Sequence, residues 1–301
     1  MDLAFRRLSV PAMAILSSLQ APRTTLSFEF FPPKNDEAAD ELLKTVHELD
    51  ALDPSFVSVT YGAGGTTRER TRDLVRRIIQ ETTAPTIPHL TCIGHSREEM
   101  TEILDQYAGD QVGTILALRG DPPRTQPDYD RSNDDFHFAK DLVDFIEKHS
   151  HPFEIGVAGF PEGHPATQNR VQEMDNFKEK VDAGADYICT QLFFDNHDFL
   201  DYRDRCSLAG IDLPIVAGIM PITALAGMNR MAELAAGSRF PAKLLKALSS
   251  AGDDPESVRQ AGIDYAIAQC QELIEAGVAG LHLYTLNKSR ATREIAAALT
   301  F

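Results

Sequence analysis

The feature that most constrains this chain is a repeated alternation. Eight short apolar runs, near residues 26–33, 56–62, 86–94, 114–121, 153–162, 187–195, 213–222 and 280–287, are separated by charged segments with helical spacing. The clearest such segments are Glu37 to Leu49, Arg68 to Glu81, Glu98 to Tyr107, Phe136 to Lys148 and Gln168 to Asp182. Strand signals alternating with helix signals imply βαβ units and a parallel sheet. Runs such as Phe56-Val57-Ser58-Val59-Thr60-Tyr61 and Thr114-Ile115-Leu116-Ala117-Leu118 read as apolar on both faces, as a sheet covered by helices requires. Eight units in 301 residues is the count of an α/β fold of the (β/α)8 barrel type, with an open doubly wound sheet as the alternative.

The interval between the seventh and eighth runs is the longest. It holds Thr223 to Ala236, Pro241 to Leu248 and Pro255 to Ala276, and reads as an extra helical insertion within one domain spanning 1–301. At the start, Arg6-Arg7 followed by Leu8 to Leu16 has the outline of a targeting segment. Pro11 interrupts it and Asp2 is acidic, so a leading N-terminal helix on the domain is the expectation.

The net charge of −16 argues against nucleic acid or an anionic membrane as a partner, while leaving room for a local basic pocket. Cys92, Cys189, Cys206 and Cys270 are too far apart for a CxxC pair, and a reducing, cytoplasmic setting fits them best. No apolar run approaches the roughly 18 residues of a membrane span. His89, His164 and the acids have no metal-ligand spacing, so no metal is expected.

In a barrel of this kind the chemistry sits at the C-terminal ends of the strands. The first run, Leu26-Ser27-Phe28-Glu29-Phe30-Phe31-Pro32-Pro33, carries an acid between phenylalanines. Burying a carboxyl is costly unless it is paired, hydrogen-bonded or kept protonated, and enzymes use that cost to keep a general acid. Glu29 is therefore the first candidate for chemistry, against the plainer reading of a strand glutamate on a solvated face. Gly62-Ala63-Gly64-Gly65 fails the dinucleotide spacing and reads as a βα loop whose N–H groups can meet a ligand. His89 sits in an apolar run, where a lone histidine is usually a satisfied core residue. Arg119-Gly120-Asp121-Pro122-Pro123 reads as a rigid polar loop. Glu173, Asn176 and Lys180 share one helical face, which composition alone reads as a solvated stripe.

Several of these strings resemble methylenetetrahydrofolate reductases. They are Phe28-Glu29-Phe30-Phe31-Pro32-Pro33-Lys34, Val57-Ser58-Val59-Thr60-Tyr61-Gly62-Ala63, Pro88-His89-Leu90-Thr91-Cys92 and Ala117-Leu118-Arg119-Gly120-Asp121. Further along come Val157 to Pro165, Lys180 to Asp186, Thr190-Gln191-Leu192-Phe193-Phe194-Asp195 and His282-Leu283-Tyr284-Thr285-Leu286-Asn287. The blocks stand in family order from about residue 25 onward. The resemblance implies a barrel with non-covalent FAD at the strand ends, NADH or NADPH as electron donor, and 5,10-methylenetetrahydrofolate as acceptor. Two half-reactions on one flavin would yield 5-methyltetrahydrofolate for methionine synthesis. Alternatives are a flavin-free reductase with direct hydride transfer and a folate-binding subunit of a larger redox complex.

Carried over by position, the resemblance makes Glu29 the general acid and Asp121 the acid near flavin and folate. Thr60, Tyr61, Ala63, His89, Arg119, Gly120, Phe138, Ala139 and Phe160 become flavin neighbours, and His164, Glu173, Asn176 and Lys180 the set around the FAD ribose and diphosphate. Gln191, Tyr284 and Lys288, with Glu29, Thr60 and Asp121, face the folate. Two positions depart from the pattern. Phe160 stands where a tyrosine is expected, and Lys288 stands for an arginine, keeping the charge without the bidentate fork. The resemblance also implies a homo-oligomer, and a catalytic barrel without the long regulatory region of eukaryotic members.

Overall fold

The computed structural model describes residues 14–62, 68–122, 128–228, 231–232, 235 and 238–301. Eight parallel strands close into a barrel in sequence order. They are β1 Thr25–Phe30, β2 Phe56–Val59, β3 Thr86–Thr91, β4 Thr114–Leu118, β5 Glu154–Gly159, β6 Tyr187–Thr190, β7 Ile215–Ile219 and β8 Gly280–Tyr284. Closure is made by β1 against β8, with Ser27 opposite His282 and Glu29 opposite Tyr284. The open doubly wound alternative is thereby excluded. Each strand ends earlier than its apolar run where the chemistry of pairing stops, as at Pro32-Pro33, which cannot donate to a ladder.

Ten α-helices lie among the described residues: α1 Leu16–Leu19, α2 Asp36–Asp50, α3 Arg68–Glu81, α4 Arg97–Gly109, α5 Ala139–Glu147, α6 Arg170–Asp182, α7 Asn196–Leu208, α8 Ala242–Ser250, α9 Pro255–Glu275 and α10 Arg290–Ala298. Local signals set their starts. Asn35 accepts the Ala38 N–H at 2.9 Å ahead of α2, and Ser96 with Glu99 forms a capping box at α4. Helix α5 starts at Ala139 rather than Phe136, because the Asp141 carboxylate accepts the N–H groups of His137 and Phe138 and fixes the helix entry there. The insertion before β8 contains α8 and α9, preceded by a 3₁₀ turn at Leu225–Gly227.

The strand period splits the core in two. Phe28 and Phe30 of β1 join Leu42, Leu43 and Val46 of α2 in the layer between sheet and helices. Phe56, Ile87, Leu116, Tyr187 and Val216 fill the barrel interior with Ile15 and Leu19. Much of the apolar N-terminal stretch read as a leading helix lies outside the described residues; what is described is the short α1, which closes the barrel floor. Its entry is fixed by Glu154, whose Oε2 accepts the N–H of Ile15 at 2.6 Å, that of Leu16 at 3.0 Å and the Thr114 hydroxyl at 3.0 Å. With the N-terminal end of the barrel plugged, the opposite end is left for a ligand. No described helix is long and apolar enough to cross a membrane.

Candidate active site

Glu29 is the carboxyl near the C-terminal end of β1. Its sequence neighbours Phe28 and Phe30 are not its spatial neighbours: they point out to the helices, and Glu29 points inward. The cost inferred from the flanking phenylalanines is therefore met differently. Glu29 Oε2 stands 3.5 Å from His89 Nε2 and 3.7 Å from His282 Nε2, with the side chain 19% exposed. His89 is neutral near pH 7, because burial pulls its pKa down to about 4 against the opposing pull of Glu29. The Glu29 carbonyl accepts the Thr285 hydroxyl at 2.7 Å, and the Asn287 side chain bonds both the N–H and the C=O of Phe31. Leu286 and Asn287 take φ of 50° and 57° to make that contact, so the turn after β8 clamps the end of β1.

A cleft of about 650 Å³ opens over the ends of β3 to β6. It brings together Tyr61, Arg119, Gly120, Asp121, Phe138, Ala139, Phe160, His164, Glu173, Asn176, Lys180 and Gln191, residues far apart in sequence. Gly120 has φ of +82°, and a Cβ there would fall 2.7 Å from the Thr91 Cβ, so only glycine lets this loop approach β3. The Tyr61 hydroxyl pairs with His95 Nε2 at 3.3 Å, and burial raises its pKa to about 12. Arg119 reaches toward Asp121 at 3.9 Å, but Asp121 is 85% exposed, so this pair is a mouth feature rather than a buried one. Phe138 is 57% exposed on the rim.

The stripe on α6 divides. Glu173 Oε1 accepts the His164 N–H at 2.7 Å, and His164 Nδ1 accepts the Ala166 N–H at 3.1 Å, which leaves the proton of the neutral ring on Nε2. Burial first, then the charges of Arg119 and Lys180, hold the His164 pKa down. Lys180 is half-buried, donates to the Ala158 carbonyl at 2.6 Å and lies 4.8 Å from the Phe177 ring centre. Burial lowers its pKa from 10.5 to about 8. Asn176 is exposed and accepts from Gln172. Thus Lys180 is desolvated, whereas Asn176 is exposed within the cleft lining.

Five carried-over residues among the described ones are placed outside the cleft lining, Glu29 and four others. Thr60 donates its N–H to Phe30 and accepts at its carbonyl from Thr71, tying β2 to its neighbours. His89 sits with Glu29, and Tyr284 donates to the Thr190 carbonyl at 2.8 Å. Lys288 is exposed on the turn after β8. Ala63 lies outside the described residues. Sequence reasoning missed Phe177 and Tyr202 as lining residues, and His282 near Glu29. Among the described residues, the buried polar atoms without a hydrogen-bond partner include Thr91 Oγ1 in the cleft lining and His89 Nε2 beside Glu29.

The sequence matches the family model for methylenetetrahydrofolate reductase over residues 14–300. The chain belongs to the methylenetetrahydrofolate reductase family. A 5,10-methylenetetrahydrofolate reductase of Pectobacterium carotovorum subsp. carotovorum is 37% identical over 282 residues, covering 93% of this chain and 91% of the relative. Methylenetetrahydrofolate reductase (NADH) 1 of Arabidopsis thaliana is 38% identical over 287 residues. The chain spans about half the length of that plant relative, 48%, and nearly all of the bacterial one. Among solved structures, an uncharacterised Clostridium thermocellum protein described as binding two copies of 5-methyl-5,6,7,8-tetrahydrofolic acid superposes with a TM-score of 0.66. It is 14% identical and covers 95% of this chain and 98% of its own, a likeness of fold alone.

Proposed function

We propose that this protein reduces 5,10-methylenetetrahydrofolate to 5-methyltetrahydrofolate, with FAD as resident cofactor and NADH or NADPH as electron donor. The observation that carries the reading is Glu29, an inward carboxyl bracketed by two imidazoles at the C-terminal end of β1, the end of the barrel at which the cleft opens. The unpartnered Thr91 hydroxyl, the Gly120 approach and the desolvated Lys180 ammonium suit a large anionic cofactor, in a lining where the cations Arg119, Lys140 and Lys180 stand among the acids Asp121, Glu173 and Glu179. FAD, when bound, supplies the hydride chemistry between nicotinamide and folate.

The protein's own residues bind, orient and move protons. Lys180, His164 through Nε2, and Asn176 hold the ribose and diphosphate, with Glu173 fixing the His164 backbone. Tyr61, Arg119, Gly120, Phe138, Ala139 and Phe160 flank the ring system. Asp121 and Gln191 meet the pterin from the cleft mouth, and Tyr284 and Lys288 lie on the β8 side with Glu29. Glu29 gives its proton to N10 of the five-membered ring. The bond between N10 and the bridging carbon breaks, its electron pair stays on N10, and the carbon becomes a cationic iminium that accepts hydride. Asp121 contributes a negative charge that favours that cation.

Anaerobic stopped-flow absorbance tests the reading. The purified protein should carry a flavin band that bleaches with NADH or NADPH and returns when methylenetetrahydrofolate is added. A protein that oxidises NAD(P)H with methylenetetrahydrofolate but contains no flavin refutes the cofactor assignment; one that does neither refutes the activity.

A further inference from the structure

Each lysine and arginine of the cleft lining is held by an oxygen of the protein itself. Lys180 donates to the Ala158 carbonyl at 2.6 Å, and Arg119 donates through Nε to the Gly120 carbonyl at 3.2 Å. Lys140, in the first turn of α5, donates to Glu179 Oε2 of α6 at 2.6 Å. Both members of this last pair line the cleft, so their bond crosses its rim from one helix to the other. Neither belongs to the set of residues assigned by resemblance.

The pair is half exposed, 41% at Lys140 and 58% at Glu179. An exposed ion pair between flexible side chains contributes little, because water screens it and both chains lose freedom in making it. A charge-assisted hydrogen bond to a phosphate oxygen contributes more. Lys140 therefore has a better partner whenever a phosphate enters. Its bond to Glu179 holds the ammonium pKa above the ordinary value, so the group is charged at neutral pH. Lys180 is the weaker cation, because burial brings its pKa to about 8. A diphosphate carries two negative charges, and on α6 it meets Lys180 flanked by the acids Glu173 and Glu179. One lysine leaves that charge uncompensated, and the ammonium on the facing helix is Lys140.

We propose that Lys140 is a second diphosphate-binding cation, passing from the Glu179 carboxylate to the phosphate oxygens as FAD binds, so that Lys140 favours the cofactor and Glu179 opposes it. The inference rests on the reading of this cleft as an FAD site and deepens it. No proton or covalent bond changes hands; one ammonium exchanges one oxygen acceptor for another. The two members of a single ion pair then act in opposite directions. A pair that merely braced α5 against α6 would behave otherwise, because loss of either partner breaks the same brace and loosens the cofactor alike.

Release of FAD on dilution of the purified holoprotein, followed by the rise in flavin fluorescence, is the test. Lys140→Met should weaken FAD binding about tenfold, while Lys140→Arg, which keeps a cation for phosphate, should stay within about threefold of the parent. Glu179→Gln should tighten binding about threefold or more, since it removes a negative charge and frees the ammonium. Added salt should weaken binding by the parent more than by Lys140→Met, because the variant has one fewer charge to screen. Weaker binding by both Lys140→Met and Glu179→Gln makes the pair a brace and overturns the proposal, as does an affinity of Lys140→Met within about twofold of the parent. Should Lys140→Met not fold, the sign of Glu179→Gln decides: tighter binding supports the proposal, and unchanged or weaker binding overturns it. A parent protein that neither carries FAD nor takes it up refutes the cofactor reading and the proposal together; a parent that holds FAD, with variants that do not shift, overturns the proposal alone.

Discussion

Replacing Lys180 with Met should make the cofactor-free protein more stable and the cofactor harder to hold. Lowering an ammonium pKa from 10.5 to about 8 corresponds to roughly 3 kcal/mol of lost stability while the group stays charged. Lys180 is half-buried, so solvent screening reduces this to about 2 kcal/mol. The variant also loses the bond to the Ala158 carbonyl, about 1 kcal/mol, and keeps an apolar stem against Phe177. The balance is a gain of about 1 kcal/mol near pH 7. The sign with pH follows from proton counts. Between about 8 and 10.5 the unfolded chain binds more protons at this site than the folded one, so stability of the parent rises with pH there. The cost is fully present below about 8, fades through that window and is gone above 10.5, where the variant retains only its lost hydrogen bond and becomes the less stable of the two. Against FAD the effect reverses, because a charged hydrogen bond to phosphate is worth about 1.5–3 kcal/mol, or roughly 10–10²-fold in affinity. Urea unfolding of the apoproteins on either side of pH 8, with FAD titration by fluorescence quenching, measures both. An apoprotein destabilised by Lys180→Met near neutral pH, with unchanged FAD affinity, refutes the reasoning and makes Lys180 a structural cation.

Glu29→Gln should retain flavin and its reduction by nicotinamide but slow reoxidation by methylenetetrahydrofolate about 10²–10⁴-fold, read by stopped flow; near-parental reoxidation removes the assignment. Asp121→Asn should raise the flavin potential and slow folate reduction more than flavin reduction, and the 85% exposure of Asp121 keeps the effect small. Equal slowing of both half-reactions at an unchanged potential would make it a loop residue. Glu154→Ala strips the acceptor from two backbone N–H groups and a hydroxyl at the barrel floor, and should cost about 2–4 kcal/mol in urea melts without altering FAD affinity.

How much of this was legible in the sequence depends on which physical signal carried it. All eight strands follow from the alternation of apolar runs and helical segments, because a covered parallel sheet must be apolar throughout, and the count of eight pointed to a barrel, while the pairing of β1 with β8 is what decides closure against an open doubly wound sheet. The start of α5 was not legible, because it turns on Asp141 capping two N–H groups upstream rather than on helical spacing. For the site, the strand period was the neglected signal. Reading Glu29 as an acid among phenylalanines treats sequence neighbours as contacts, whereas in a strand the contacts of residue 29 are residues 27 and 31 along its face and the opposed positions of β2 and β8. Glu29 pairs in register with Ser58 and Tyr284, and Ser27 with His282. Counting by twos from Tyr284 places His282 on the inner face, and counting by twos from Glu29 places Ser27 beside it. The buried cluster of one acid, two serines and a histidine was thus present as a pattern, but the closure of β1 on β8 was needed to bring positions more than 250 residues apart into contact. The α6 stripe failed for a different reason. Helical spacing correctly put Glu173, Asn176 and Lys180 on one face, yet a face says nothing about what lies over it; the β5 carbonyl of Ala158 and the ring of Phe177 turn Lys180 from a solvated charge into a desolvated one. That desolvation, costly to the empty protein, is what leaves the ammonium free to be repaid by an anion.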